Sequence, residues 1–333
     1  MTKTEPSYGF PSEEAARFPS CVQLTLCHYI CDTGCLACPV GRLNRGKPEA
    51  RARWKADGSD RHFMPWEVFE KAARETGQHQ ESFMRFHARG EPTLHPQFVD
   101  KIEYAKSVGV ATVQTFTNGL SMNESLARST LQAGVDVIEF SVHGHTQTYT
   151  ALMGNDQFKQ VVDNILRFVR LRDEMGTGTK VVVSAVDQPG FQPDKEAHRR
   201  FWTDRVDQVI LRPYHSWGGR IPLKRAEDTA KRRPCPQLWT RLTVGPSGKV
   251  LFCFNSWDEE ESETAGDLMA PGATVARIWQ SERYAGVRAA HLAGNYTLDC
   301  CARCTDWVGS SWGENSYESL LRKFKDSVPT AGC

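Results

Sequence analysis

The sequence of 333 residues lacks several things that sort proteins into classes. No apolar run approaches the ~20 residues that cross a bilayer. The N-terminal stretch MTKTEPSYGF has no apolar core of the kind that directs secretion. Neither sign of charge is in excess: 41 Lys+Arg face 40 Asp+Glu, a formal net charge of +1. That balance offers no handle for nucleic acid or an anionic membrane surface. There is no internal repeat and no sustained low-complexity tract. Finally, no cysteine falls between residues 39 and 234, although the chain has 11 in all. These absences leave a cytoplasmic globular protein of ordinary composition, 40% hydrophobic and 24% charged. At roughly 150 residues per domain, its length allows about two domains.

The cysteine gap divides what is present. Cys21, Cys27, Cys31, Cys35 and Cys38 lie on one side; Cys235, Cys253, Cys300, Cys301, Cys304 and Cys333 lie on the other. A disulfide framework does not suit a reducing compartment. Buried structural cysteines scatter, whereas two clusters separated by a long empty stretch read as two metal sites.

The cysteine-free middle alternates strand-like and helix-like patterns. Apolar, β-branched runs occur at VQLTL (22–26), SFMRF (82–86), ATVQTF (111–116), DVIEFSV (136–142), KVVVSAV (180–186) and DQVILR (207–212). Helical periodicity fills the intervals, as in WEVFEKAARET, PQFVDKIEYAKSV, NESLARSTLQAG and DQFKQVVDNILRFVRLRDEMG, with a shorter helix at 194–203. Pro96 suits a first helical turn, Asn123 a cap, and Gly134 and Gly176 helix ends. Repeated βα units predict a parallel sheet with right-handed crossovers. Six strands fall short of the eight that close a full barrel, so the expected fold is α/β, a partial (β/α)6 TIM-like barrel. Its chemistry is expected at the C-terminal strand ends.

After residue 212 the texture changes. RPYHSWGGR is a polar loop, LKRAEDTAKRR (223–233) a charged helix or linker, and RLTV-GPSG-KVLF (241–252) a hairpin. Acidic DEEESE (258–263) reads as a solvated loop. The expected division is an N-terminal extension over 1–20, the partial barrel over 21–212, a small α+β domain over 213–310, and a C-terminal helix or tail over 311–333.

Cys31, Cys35 and Cys38 form C-x3-C-x2-C just after the first strand. Thiolates favour zinc or an iron–sulfur cluster. Three thiolates leave one iron of a [4Fe–4S] cluster open, while the plain alternatives are zinc or core cysteines. This spacing resembles the signature of radical S-adenosylmethionine (SAM) enzymes, and further strings match in order along the strands. Gly90-Glu91-Pro92 resembles the family's GGEP, which contacts the methionine amino group. Thr117-Asn118-Gly119 looks like its TNG. Ser141-Val142-His143-Gly144 is similar to the element that contacts the bound nucleoside. Two positions depart from the pattern: Ala37 stands where an aromatic residue is usual, and His143 where an aspartate is. The resemblance implies that the open iron holds SAM, and that one electron into the sulfonium yields a 5′-deoxyadenosyl radical.

Cys235, Cys253 and the C-x2-C pair Cys301 and Cys304 make a second four-cysteine set, for which zinc and iron–sulfur are equally open from spacing. With CPQLW (235–239), the hairpin, GDL (266–268), 278–295 and CARC (301–304), the region resembles the SPASM/Twitch extension of the same family. Four ligands imply one auxiliary [4Fe–4S] cluster, with Cys300 an alternative to Cys301. Cys27 and Cys21 read as buried thiols.

Within the family, the resemblance is to the aminoglycoside and aminocyclitol dehydrogenase and epimerase subgroup. An epimerase of that subgroup has a hydrogen-donating cysteine shortly after the second auxiliary ligand. Here no cysteine lies between 254 and 299, and Asp258 falls at that place. Oxidation of a secondary alcohol to a ketone is therefore expected, which needs a base for the hydroxyl proton and an acceptor for one electron. Arg212 resembles an arginine that contacts the reacting hydroxyl; its plain alternative is an ion pair. His215, His143 and Asp258 are candidates for the base. Tyr214 is a candidate substrate contact, and Trp217, Trp257 and Trp307 can stack on a sugar or simply pack in a core. The expected partners are an amino-sugar substrate and an electron donor such as flavodoxin or ferredoxin, with no nucleic acid and no membrane. No peptide-recognition domain is expected ahead of the first strand, which tilts the substrate toward a small molecule. The alternatives are an epimerase, a ribosomal-peptide maturase and, outside enzymes, a zinc-binding scaffold.

Overall fold

The computed structural model describes residues 8–45, 62–223, 232–256 and 261–309. Asp258, Trp257, Cys333, the expected tail over 311–333 and most of the charged stretch 223–233 lie outside the described residues. The chain divides into two compact units. The larger is Gln23–Tyr214 with 245–248; the smaller is Met1–Val22, His215–Val244 and Lys249–Cys333.

All six expected strands form: β1 (Cys21–Leu24), β2 (Phe83–Phe86), β3 (Thr112–Thr117), β4 (Val137–Ser141), β5 (Lys180–Asp187) and β6 (Gln208–Pro213). Their order is β6-β5-β4-β3-β2-β1. The pairs β2–β3, β3–β4, β4–β5 and β5–β6 are parallel. Every residue of β2 and β3 is buried, as is every residue of β4 but Ser141. Burial on both faces explains why these strands read as continuous apolar, β-branched runs rather than alternating ones. Among the described residues β6 is bonded only to β5, so the barrel stays open, as the six-strand count predicts.

Helices fill the crossovers. The longest, Phe158–Met175, buries Val161, Ile165, Phe168 and Leu171, a stripe at helical spacing, and stops where Gly176 takes φ 64°. Asn123 caps the helix Glu124–Gln132 by accepting the Leu126 N–H at 2.9 Å. The helix expected from Pro96 begins instead at Phe98. The reason is local: the His95 ring nitrogen accepts the Gln97 N–H at 3.0 Å and the His95 carbonyl the Phe98 N–H at 3.0 Å, which holds Pro96 in a turn.

In the smaller unit β7 (Arg241–Val244), β8 (Lys249–Leu251) and β9 (Thr264–Asp267) pair antiparallel in sequence order. The first two are the expected hairpin. The helices Val275–Trp279 and Glu282–Leu292 bring Trp279 and Tyr284 to ring centroids 4.8 Å apart. Arg288 lies over both rings, at 4.1 and 4.2 Å, and donates to the Leu238 and Trp279 carbonyls at 2.8 and 2.9 Å. The N-terminal segment joins this core. Trp279 donates its indole N–H to the Ala15 carbonyl at 2.9 Å, and Phe10 meets the Trp279 ring edge-on at 6.1 Å. Among the described residues no helix is long and apolar enough to cross a membrane.

Candidate functional site

The loop leaving β1 carries the first cysteine set, and its carbonyls are pinned from several directions. Asn44 donates to the Cys31 carbonyl at 3.1 Å, Arg45 to Gly34 at 2.9 Å and Arg42 to Leu36 at 2.8 Å. The Gly34 and Leu36 amides donate to Met153 and Leu152 at 2.9 and 2.8 Å. Cys38 ends the loop and precedes the helix Pro39–Asn44. That helix lies so close that a Cβ on Gly41 would sit 2.3 Å from the Cys35 carbonyl oxygen. Cys35 is buried; Cys31 and Cys38 are half-buried. Burial pushes all three thiols up, Cys35 to about 12 with Cys38 adding to it; at Cys31, Asp32 and then Glu91 add to the effect of burial. Such thiols ionise when a metal cation balances the buried charge.

The loop after β2 locks onto this one. Tyr29, Ala88 and Arg89 hold positive φ of 64°, 85° and 53°, and Tyr29 donates to the Arg89 carbonyl at 2.6 Å. Left-handed backbone at non-glycine residues stores strain and gathers at functional sites. A Cβ on Gly90 would meet the Cys27 carbonyl at 2.4 Å and that of Ile30 at 2.7 Å, so the position admits only glycine. Glu91 follows, its N–H given to Ile30 at 2.7 Å, and Pro92 opens the short 3-10 turn Pro92–Leu94. The Glu91 carboxylate is buried. One oxygen accepts the Thr93 hydroxyl at 2.7 Å and amide at 3.2 Å; the other accepts the Asn118 amide at 2.8 Å. Burial, with Asp32 second, pushes this carboxyl up to about 7.

Asn118, after β3, also gives its side-chain amide to Asp32 at 2.6 Å, and Ser121 gives its hydroxyl to the other Asp32 oxygen at 3.1 Å. Cys31, Glu91 and Asn118, three predicted residues from separate motifs, are thus brought together. Asp32 joins them without a signal in the sequence.

Ser141 ends β4, and the next amide, of Val142, donates to the Ser184 carbonyl at 2.8 Å. His143 accepts the Val186 N–H on Nδ1 at 3.2 Å. A neutral imidazole with Nδ1 as acceptor carries its proton on Nε2. Burial, then His198 and Arg212, hold this ring down at about 4, so it is neutral near pH 7. His198 steadies the same loop through its 3.0 Å contact from Nδ1 to the Gly144 carbonyl. Arg212, near the end of β6, is bound to Glu139 of β4, from Nε at 3.0 Å and from Nη2 at 2.6 and 2.7 Å. Glu139 is a residue that the sequence reading missed. Tyr214 accepts from Arg42 at 2.9 Å.

The second set lies in the smaller unit. Cys235 precedes the short helix Gln237–Thr240, Cys253 follows β8, and Cys301 and Cys304 share one turn in which the Cys304 N–H donates to the Cys301 carbonyl at 3.1 Å. Burial raises the Cys253 thiol, with Cys300, Cys235 and Cys304 adding to it, and the Cys300 contact and burial raise Cys301, with Cys253 and Cys235 adding to that. Burial pushes Cys235 to about 11 and Cys304 to about 12. Cys300 sits among them, its sulfur 3.5 Å from the Ser256 hydroxyl and 4.0 Å from the Cys301 sulfur. Amides of Asn255 and Asp306 donate to the Cys253 and Cys304 sulfurs at 3.4 and 3.2 Å, contacts of the kind that tune cluster thiolates. His215 Nδ1 lies 3.9 Å from Asp306 Oδ1, and Trp217 takes φ 52°. Trp307 is buried. Among the described residues no three His, Cys, Asp or Glu side chains are drawn together as ligands of one metal ion. Cluster cysteines, by contrast, each bind a different iron, and the all-thiol donor sets fit iron–sulfur clusters.

Residues 26–186 match the Radical SAM superfamily, and residues 235–305 match SPASM, an iron–sulfur cluster-binding domain. The tungsten-containing aldehyde ferredoxin oxidoreductase cofactor-modifying protein of Pyrococcus furiosus is 27% identical over 141 residues, 40% of this chain. The match spans 38% of that relative's length. Among solved structures, BtrN in complex with AdoMet and 2-DOIA is similar with TM-score 0.57 at 16% identity, over 90% of this chain and 97% of that one. Streptococcus suis SuiB bound to precursor peptide SuiA gives 0.60 at 14%, over 92% and 73%. The anSMEcpe protein with bound AdoMet and Cp18Cys peptide gives 0.58 at 13%, over 92% and 95%. At these identities the likeness is one of fold.

Proposed function

We propose that this chain, a radical SAM enzyme with an SPASM domain that uses SAM and two [4Fe–4S] clusters, oxidises a secondary alcohol of an aminoglycoside or aminocyclitol intermediate to a ketone. The observation that carries the choice of oxidation is the stretch from 254 to 299, which has no cysteine to return a hydrogen atom to the substrate.

In this reading Cys31, Cys35 and Cys38 hold the first cluster, and Cys235, Cys253, Cys301 and Cys304 the second. The first cluster and SAM together supply the radical that removes a carbinol hydrogen. Glu91 would accept from the methionine amino group, with Gly90 giving the close backbone approach and Pro92 fixing the turn. Asn118 and Ser141 line the nucleoside side. His143 serves there as a donor, because its Nδ1 lone pair is used by the Val186 N–H; that geometry leaves no acceptor for the base role. Arg212 would orient the hydroxyl and His215 or Asp258 would take its proton, while a cluster held by Cys235, Cys253, Cys301 and Cys304 would supply a one-electron acceptor. A cytoplasmic flavodoxin or ferredoxin supplies the reducing electron.

A peptide substrate is the second reading, favoured by the peptides held in the SuiB and anSMEcpe structures. The deciding experiment is anaerobic turnover against a panel of amino-sugar intermediates. A product two mass units lighter than its substrate supports oxidation. A product isomeric with its substrate, carrying one solvent deuterium on carbon, overturns it in favour of epimerisation.

A further inference from the structure

Asn118 is buried, and both ends of its side-chain amide are held inside the protein. Its Oδ1 accepts the Leu120 N–H at 2.8 Å, and its Nδ2 donates to Asp32 Oδ1 at 2.6 Å. The same Nδ2 donates to the Cys31 sulfur at 3.9 Å. A carboxylate oxygen accepts and a backbone N–H donates, so these partners settle which end of the amide is nitrogen. Ser121 gives its hydroxyl to the other Asp32 oxygen at 3.1 Å, and Glu91 holds the Asn118 backbone N–H at 2.8 Å. The amide plane is thereby fixed. The Leu120 contact on its oxygen also strengthens its N–H groups as donors.

Cys31 stands apart from the other thiols of its set. The Cys35 sulfur takes the Ala37 amide, and the Cys38 sulfur those of Val40 and Gly41, all from the same loop. Cys31 takes the Thr33 amide and, beyond it, two side chains: the Thr33 hydroxyl at 3.2 Å and the Asn118 amide, 87 residues away. A thiolate has no proton to give, so in the ionised state both side chains donate to it. Such donors draw charge off a cluster thiolate and make the cluster easier to reduce. Asp32, an acidic side chain beside the same sulfur, works the other way. With Asn118 bound to it, the group turned to the sulfur is a donor.

We propose that Asn118 is a positioning residue for the first cluster, oriented by Asp32 so that its amide donates to the Cys31 thiolate and raises the cluster's reduction potential. The loop after β3 thereby sets how readily the cluster takes up its electron. The inference rests on the reading that Cys31 is a cluster ligand, and not on the reaction being an oxidation.

The test is an anaerobic redox titration of the cluster-loaded enzyme, followed by electron paramagnetic resonance. The signal read is the one that SAM addition shifts, which belongs to the first cluster. Asn118→Leu removes the donor at similar volume, and the midpoint falls by about 59 mV, a tenfold change in the ratio of reduced to oxidised cluster. A second readout reports the contact itself. With asparagine carrying the heavier nitrogen isotope in its side chain, the reduced first cluster of the wild type shows a coupling to that nitrogen in pulsed resonance. The coupling is lost in Asn118→Leu and in Asp32→Ala. It persists in Asp32→Asn, which keeps an acceptor oxygen for the amide. An unchanged midpoint in Asn118→Leu, or a wild type without the coupling, overturns the proposal. Should Asn118→Leu fail to load iron, the two Asp32 variants decide, and equal couplings in both overturn it. Failure of the cluster reading shows separately, as iron kept by Cys31→Ala.

Discussion

The backbone amide of Asn118 donates to the buried carboxylate of Glu91 at 2.8 Å, tying the end of β3 to the loop that follows β2. The same carboxylate, pushed up to about 7 by burial and then by Asp32, is the one proposed to accept from the SAM amino group.

That assignment fixes a pH dependence. The SAM amino N–H groups donate to ionised Glu91, so each unit of pH below about 7 costs binding a further proton release. SAM affinity falls at least tenfold per unit as the pH drops from 7 toward 5 and is flat above about 8. Glu91→Gln binds weakly with no slope. Equilibrium dialysis across this range checks it, and a level wild-type profile contradicts the role given to Glu91.

Glycine positions separate close approach from mere permissiveness. Gly90→Ala places a methyl 2.4 Å from the Cys27 carbonyl oxygen and Gly41→Ala one 2.3 Å from that of Cys35, both rigid backbone. Each variant displaces the loop that carries the first cysteine set, and iron content drops by about four per chain. Gly286, inside the helix Glu282–Leu292, has nothing within 4 Å of an added Cβ. Gly286→Ala raises stability by about 0.5–1 kcal/mol in a denaturant titration.

The buried histidines make the fold acid-labile. His95, His198 and His291 are each held down at about 4, burial being the first cause in each case. A ring that protonates near 6.5 when unfolded and near 4 when folded adds stability above 6.5 that disappears as the pH falls toward 4. The slope is about 1.4 kcal/mol per pH unit for each ring. Thermal melts should therefore fall steeply from pH 6.5 to 5, and His291→Gln should fall less steeply. A melting temperature that holds or rises over this window refutes the reading.

Cys300 and Cys301 are adjacent in sequence and differ in setting. Cys301 shares the tight turn with Cys304, while the Cys300 sulfur meets Ser256. Cys301→Ala is expected to lose about four irons per chain and Cys300→Ala none. The reverse pattern in iron and sulfide analysis exchanges their roles.

Much of this was legible in the chain. Runs such as ATVQTF and KVVVSAV announce buried parallel strands, because strands covered on both faces have no polar side to show. Cys31, Glu91 and Asn118 were found by motif. Glu139 and Asp32 were not, since a glutamate inside VIEFS gains its meaning only from strand register, which brings Arg212 across β5 to meet it. Nor did the segment from Phe10 to Arg17 announce its packing on Trp279, some 260 residues later, because a tertiary contact of that span leaves no local pattern. β9 (Thr264–Asp267) was missed because its short run TAGD contains glycine and aspartate, residues that usually break strands.

The central claim is that the two cysteine sets hold two clusters with separate duties. Iron content and 5′-deoxyadenosine release, measured together under anaerobic reduction for the wild type, Cys31→Ala and Cys253→Ala, test it most directly. The wild type should hold about eight irons per chain. Cys31→Ala should release no 5′-deoxyadenosine, while Cys253→Ala should keep about four irons and still cleave SAM without forming product. SAM cleavage by Cys31→Ala at the wild-type rate contradicts the account.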